Sequence, residues 1–347
     1  MFRSLQRLGL RQCRRSISTF HIDNSFRGKL QPYLGAITLV STVAGSVVVG
    51  VGGLYLLINR HLDEKYPSPS EISNKETRRL LRGAALREHI APNPSIAYVF
   101  LLRALTQLYK DGFAEHSPAV QETVLRLATA ADKMGERQAA EQMLQDVWDH
   151  AIADKRDSML ARASRVLGPL LTARGAYDEA VGVYGVAVQA LKRLEAGGDV
   201  DALRLDTANV VTSLAEVFAL KGDCPSAEAL LSGVLVDIRG RPAEGVDGWT
   251  CLDAVVMLDL AQVCEKTERP GESAAWANSA LKVTRGHRGV WACDNCETHT
   301  LFHLGRLAEA SDRDTAHVFY SRALDLARSS NTGNIEEIKA SIKKLHD

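Results

Sequence analysis

Four stretches of the chain repeat one arrangement of large and small residues, and this limits the fold more than any other feature. In "RVLGPLLTARGAYDEAVGVYGVAVQAL" the pair Leu167-Gly168 is followed by Leu171, Gly175, Ala180, Tyr184 and Ala187. The same offsets return as Leu127-Ala128, Ala131, Gly135, Ala140, Leu144 and Val147. They return again as Leu214-Ala215, Phe218, Gly222, Ala227, Leu231 and Val234. A fourth run, Leu260-Ala261, Cys264, Ser273, Ala277 and Ala280, keeps the spacing without the glycine. Apolar residues three and four apart mark one face of a helix, and a glycine between two such runs marks a turn with a left-handed backbone. Small side chains at fixed places let two helix backbones approach where they cross. The pattern predicts antiparallel helix pairs.

These offsets match the tetratricopeptide pattern of two helices joined by a tight turn. A closing copy has Ala316, Tyr320 and Ala323, with its Leu304-Gly305 pair one residue nearer, and a degenerate first copy pairs residues 76–90 with 95–109 through Ala97, Leu101 and Ala104. About six copies are expected over residues 76–330, spaced by about 40–47 residues against ~34 for a minimal unit. The surplus falls in loops such as "EAGGDVDALRLD" and "RGRPAEGVDGW". Single hairpins cannot bury their apolar faces, so neighbours stack into a solenoid with one concave face. Residues 334–347, with "IEEIKASIKKLHD", read as a capping helix. Few alternating β-branched runs appear after residue 60, so the fold class is all-α.

Formal charge balances overall, which implies no nucleic-acid partner. The balance is uneven, because residues 1–29 carry seven Arg/Lys against one Asp. Residues 1–20 hold five arginines and no acid, with Arg3, Arg7, Arg11 and Arg14 at helical spacing. Such an arginine-rich, serine-containing, acid-free start reads as a mitochondrial presequence, with a cleavage-like "RRSIS" placing the mature start near Ser18. Residues 33–59 read as a transmembrane helix, whose Leu34–Ile58 core has no charge. That core spans roughly 37 Å as a helix, enough to cross a ~30 Å hydrocarbon layer with tilt. Arg27 and Lys29 precede it, whereas Arg60 and Lys65 follow it mixed with Asp63 and Glu64. The positive-inside tendency then leaves the N-terminus in the matrix and the repeats in the intermembrane space of a single-pass inner-membrane protein. Thr42, Ser46 and Gly50 form a small-residue seam on that helix. Residues 60–75 read as a linker.

Six cysteines do not form a disulfide scaffold. In "CDNCETHTLFH" the residues Cys293, Cys296, His299 and His303 have ligand types, and a C-x-x-C can bind zinc or cycle between thiol and disulfide. All four lie within eleven positions, too close to wrap one ion as a zinc finger does. Cys293 and Cys296 are thus read as two thiols at the start of a repeat helix, with a redox pair as the alternative. No phosphate loop, nucleophile elbow, zinc-protease motif or dinucleotide fingerprint occurs, so no enzyme activity, cofactor or metal is expected. A binding surface remains. The first helix of each repeat would line the concave face with Arg162, Arg165 and Pro169, then Asn209, Thr212 and Glu216, then Val255, Leu258 and Gln262. This set lacks the Lys/Asn clamp for a chaperone's C-terminal carboxylate. Pro169 should kink its helix, because proline removes a backbone donor and strains against the carbonyl of Arg165.

The presequence, the single span, "ETRRLLRGAALREHI" and the repeats ending in "CDNCETHTLFHLGRLAEASDRDTAHVFYSRALDLA" together resemble the fungal adaptor of the mitochondrial i-AAA protease. Here "HLG" stands where that family has an "NLG"-like element, with His303 in place of the asparagine. The resemblance implies a non-enzymatic inner-membrane protein. It would bind unfolded or misfolded membrane proteins and present them to the i-AAA protease alongside that protease's other adaptor subunit. Two other classes fit the same residues: a tetratricopeptide assembly factor for a respiratory complex, and a thiol-redox or metal-handling protein using Cys293 and Cys296.

Overall fold

The computed structural model describes residues 44–197, 200–240, 248–309, 311–330 and 335–346. The presequence at 1–20 and residues 33–43 of the expected span lie outside them. Helix α1 (Ala44–Lys65) carries the rest of that span. It runs on through residues 60–65, so the expected linker is helical at its start. Leu54, Ile58 and Leu62 of α1 pack on Ala85, Leu86 and Ile90, and Arg82 Nη2 donates to Asp63 Oδ1 at 2.7 Å. The apolar stripe of α1 continues past residue 59, and this contact holds the segment helical. Among the described residues, no helix is long and apolar enough to cross a membrane.

The chain divides into two compact units, Met1–Leu170 and Leu171–Asp347. The first holds α1, then α2 (Lys75–Ala85) extended by a π-helical turn over Leu86–Ile90, and then α3 (Pro94–Lys110). It continues with α4 (Pro118–Lys133) and α5 (Arg137–Ala153), and its last residues lie in α6 (Asp157–Ala173). The second unit takes the end of α6 and then α7 (Tyr177–Glu195), α8 (Val200–Lys221) and α9 (Cys224–Arg239). After these come α10 (Gly248–Lys266), α11 (Pro270–Arg285), α12 (Trp291–Ala308), α13 (Arg313–Ser330) and the terminal α14 (Ile335–His346). Consecutive helices from α1 to α5 and from α7 to α14 pack together. Helix α2 with its π-helical turn covers residues 75–90, α3 covers 94–110, and α14 covers 335–346.

Local chemistry explains where the helices stop and start. Gly135, Gly175 and Gly222 have φ of 85°, 80° and 92°. The amide that follows each glycine closes the preceding helix: Glu136 N to Ala131 O at 3.0 Å, Ala176 N to Leu171 O at 2.9 Å, and Asp223 N to Phe218 O at 2.9 Å. This is a Schellman closure, which needs a left-handed residue at the turn. The fourth copy lacks the glycine, and Glu268 takes the same place at φ 58°, with Arg269 N bonded to Cys264 O at 2.8 Å. Restart signals are equally local. Asn93 Oδ1 accepts from Ile96 N at 3.0 Å, and Pro94, Pro118 and Pro270 occupy first-turn positions where no amide hydrogen is missed.

The small residues of the repeat sit where the sequence pattern puts them. Ala128 and Ala140 in the first unit, and Ala180, Ala187, Ala215, Ala227, Ala261, Ala277, Ala316 and Ala323 in the second, are 0% exposed. The tightest approach is at Gly305 of α12, where an added Cβ would lie 2.5 Å from Cε1 of Tyr320 on α13. Helix α6 runs without a break from Asp157 to Ala173 through Pro169, so the proline does not end it.

Candidate functional site

The first helices of the hairpins in the second unit, α8, α10 and α12, stand side by side. Residues at helical spacing on each form the lining of one open groove of about 700 Å³. Six of the nine expected binding residues meet there: Asn209, Thr212 and Glu216 from α8, and Val255, Leu258 and Gln262 from α10. Helix α12 adds Asn295, Cys296 and His299. The remaining three, Arg162, Arg165 and Pro169, are exposed on α6 in the first unit. Arg162 there makes a two-pronged ion pair with Glu122 of α4, Nη2 lying 2.6 Å from Oε1.

The groove is a mixture of aliphatic and hydrogen-bonding surface. Asn209 Nδ2 donates to Leu205 O and Thr212 Oγ1 to Ala208 O, each at 2.8 Å within α8. Those bonds fix both side chains against their own helix. Two carboxyls that sequence reading did not pair, Glu216 and Asp259, face each other across α8 and α10. Burial raises the pKa of Glu216, an effect that Lys266 opposes. Burial and the charge of Glu216 raise Asp259 well above the usual carboxylate range. Among the described residues Asp259 makes no hydrogen bond or ion pair. Both carboxyls therefore favour a neighbour that donates hydrogen bonds or carries positive charge. Beside the groove, Gln262 and His299 also border a hollow of about 450 Å³, where Arg306 Nη2 pairs with Glu265 Oε1 at 2.6 Å.

The cysteines depart from expectation. Cys293 is not joined to Cys296. It forms a disulfide with Cys251, 42 residues earlier, which ties α12 to α10 with a Cα separation of 5.1 Å. Cys293 and Cys296 share one face of α12, but Cys251 on the neighbouring first helix lies opposite Cys293. Cys296 instead turns to the groove floor, 3.9 Å from Thr300 Oγ1, and burial pushes its thiol up to about 12. A thiol held protonated in this way is a poor nucleophile. Cys293, already bonded, has no thiolate to give a metal. Among the described residues no three ligand-type side chains converge. His303 is engaged elsewhere, its Nε2 2.9 Å from Ser273 Oγ, and burial lowers its pKa against the pull of Glu265.

No family model matches the chain, and no curated protein matches it. Solved structures do. BtubC (BKLC) from P. vanneervenii superposes with a TM-score of 0.51 at 18% identity, covering 68% of this chain and 92% of that one. The apo form of the quorum sensor NprR from B. thuringiensis gives a TM-score of 0.53 at 12% identity, covering 93% of this chain and 99% of that one. A tetratricopeptide repeat protein from Parabacteroides merdae gives 0.47 at 12% identity, covering 79% and 100%. At these identities the likeness to the first two is one of fold, and the paired helices with their recurring turns make that fold all-helical and tetratricopeptide-like.

Proposed function

We propose that the chain is a membrane-anchored substrate adaptor. It binds unfolded or misfolded inner-membrane proteins through the α8–α10–α12 groove and delivers them to the i-AAA protease. The groove itself carries this reading. Aliphatic Val255 and Leu258 alternate with Asn209, Gln262 and the two carboxyls along it. Such a surface suits extended or helical segments of varied sequence, with apolar contacts for side chains and polar groups for backbone amides. A tetratricopeptide-like fold is at home in protein–protein interaction, and the protease supplies the chemistry. A membrane tether confines the groove near its clients and raises their effective concentration. Disulfides persist in oxidising compartments, so the Cys251–Cys293 bond supports repeats that face the intermembrane space rather than the matrix.

Affinity purification of the full-length chain after crosslinking in intact mitochondria tests the assignment. The adaptor reading expects i-AAA protease subunits and the protease's other adaptor as the main partners. Respiratory-complex subunits in their place would replace it with the assembly-factor reading.

A further inference from the structure

The Cys251–Cys293 disulfide stands in the wall of the groove. Cys251, in the opening turn of α10, lines the groove, and Cys293, in the opening turn of α12, is 0% exposed. The same two helices are tied at their other ends by ionic groups. Glu265 near the end of α10 pairs with Arg306 of α12 at 2.6 Å, and Nδ1 of His303 on α12 lies 3.6 Å from its second oxygen. One wall of the groove is therefore held by a covalent bond at one end and by charge at the other. A reductant undoes the first and leaves the second.

Reduction changes the spacing. Two thiols need more room than one S–S bond, and a close-packed interior passes such a change to its neighbours. Leu252 and Val255 of α10 and Ala292 and Asn295 of α12 flank the bond and line that end of the groove. Asp259 and Gln262 lie two and three turns further along α10, towards the ion pairs. The third cysteine does not compete for the bond. Cys296 follows Cys293 by one helical turn, and burial pushes its thiol up to about 12, so it offers no thiolate to capture Cys293. The bond is thus either closed or open, without a third pairing.

We propose that this bond is a redox gate on the groove: closed, it holds α10 and α12 at the spacing that binds polypeptide; open, it lets their first turns part and binding weaken. The reductant is a dithiol. One of its thiolates attacks Cys251 Sγ from the groove side, the S–S bond breaks, and Cys293 leaves as a thiolate that takes up a proton. The second thiol of the reductant then displaces Cys251, so the dithiol becomes a disulfide and its two hydrogens end on Cys251 and Cys293. Binding and reduction are linked, so a polypeptide seated in the groove protects the bond by the same factor by which reduction weakens its binding. The gate rests on the reading of the groove as a polypeptide site.

Fluorescence anisotropy of labelled, reduced and carboxymethylated ribonuclease A, a polypeptide that stays unfolded and offers no thiol, measures binding to the full-length chain before and after dithiothreitol. Reduction should weaken binding by about tenfold or more, reoxidation should restore it, and Cys296→Ser should respond as the wild type does. Hydrogen exchange of the same chain without the polypeptide judges the gate apart from the groove reading. Reduction should speed exchange more in the opening turns of α10 and α12 than around Glu265 and Arg306. Equal affinity of the oxidised and reduced chain, or a uniform change of exchange along both helices, overturns the gate and leaves the groove reading standing. Binding by neither form removes the groove reading and the gate with it. A reduced chain that loses its helical circular dichroism makes the bond a structural staple and also overturns the gate.

Discussion

Replacing both Cys251 and Cys293 by serine lowers the unfolding free energy of the second unit by about 2–4 kcal/mol. The bond closes a loop spanning 42 residues, and chain-entropy arguments for a loop of this length put the stabilisation near the upper end of that range. Native strain and residual structure in the unfolded chain act to reduce it. Urea unfolding of the full-length protein, followed by circular dichroism, measures the effect. The double variant and the reduced wild type should lose stability to the same degree. A variant that unfolds at the wild-type midpoint would mean that the bond contributes nothing to the native state. The consequence reaches the groove, because Cys251 belongs to its lining and the disulfide sets how far α12 stands from α10.

Gly305→Ala should destabilise the last hairpin by about 2–3 kcal/mol, a large effect for one methyl group. The new Cβ would meet the Tyr320 ring at 2.5, 2.7 and 3.0 Å, and such separations force something to move. The ring has little freedom to do so. Tyr320 is 0% exposed, lies 5.3 Å from Phe302 between centroids, and donates its hydroxyl to Glu309 Oε1 at 2.5 Å. Pairing the alanine with Tyr320→Leu shortens the obstacle, so the double variant should lose less than the sum of the single losses. Thermal unfolding of the four proteins supplies the cycle. If Gly305→Ala alone unfolds within ~0.5 kcal/mol of wild type, the range of a neutral surface change, Tyr320 does not pack over that glycine.

The repeats were legible because their signals are local. A left-handed glycine, a first-turn proline and a buried alanine each act within a few residues, so Gly135, Gly175 and Gly222 mark their turns in the sequence itself. Glu268 shows that the turn outlasts its glycine when the two helices already pack. The groove was largely legible for the same reason, since knowing the first helix of each repeat identifies its exposed face. Asp259 escaped notice because its meaning comes from Glu216 on another helix. Cys293 reads in sequence as a free thiol beside Cys296, although it is bonded to a partner about one repeat earlier. The signal was present, because Cys251 and Cys293 both stand in the opening turn of a first helix, at a separation close to the repeat spacing. The burial of Gln121 left no such trace. A buried glutamine on an apolar face resembles a surface residue until Arg156, two helices later, is seen to hold its oxygen.

Whether the α8–α10–α12 groove holds polypeptide segments is open to measurement by site-specific photocrosslinking. A photoreactive residue at Asn209 or Gln262 in the groove, or at exposed Val318 on α13 as a control, would be presented with a purified, chemically unfolded inner-membrane protein. Crosslinks are expected from Asn209 and Gln262, competed by excess unlabelled protein, and none from Val318. Equal yields at all three positions, or crosslinks from Val318 alone, would contradict it.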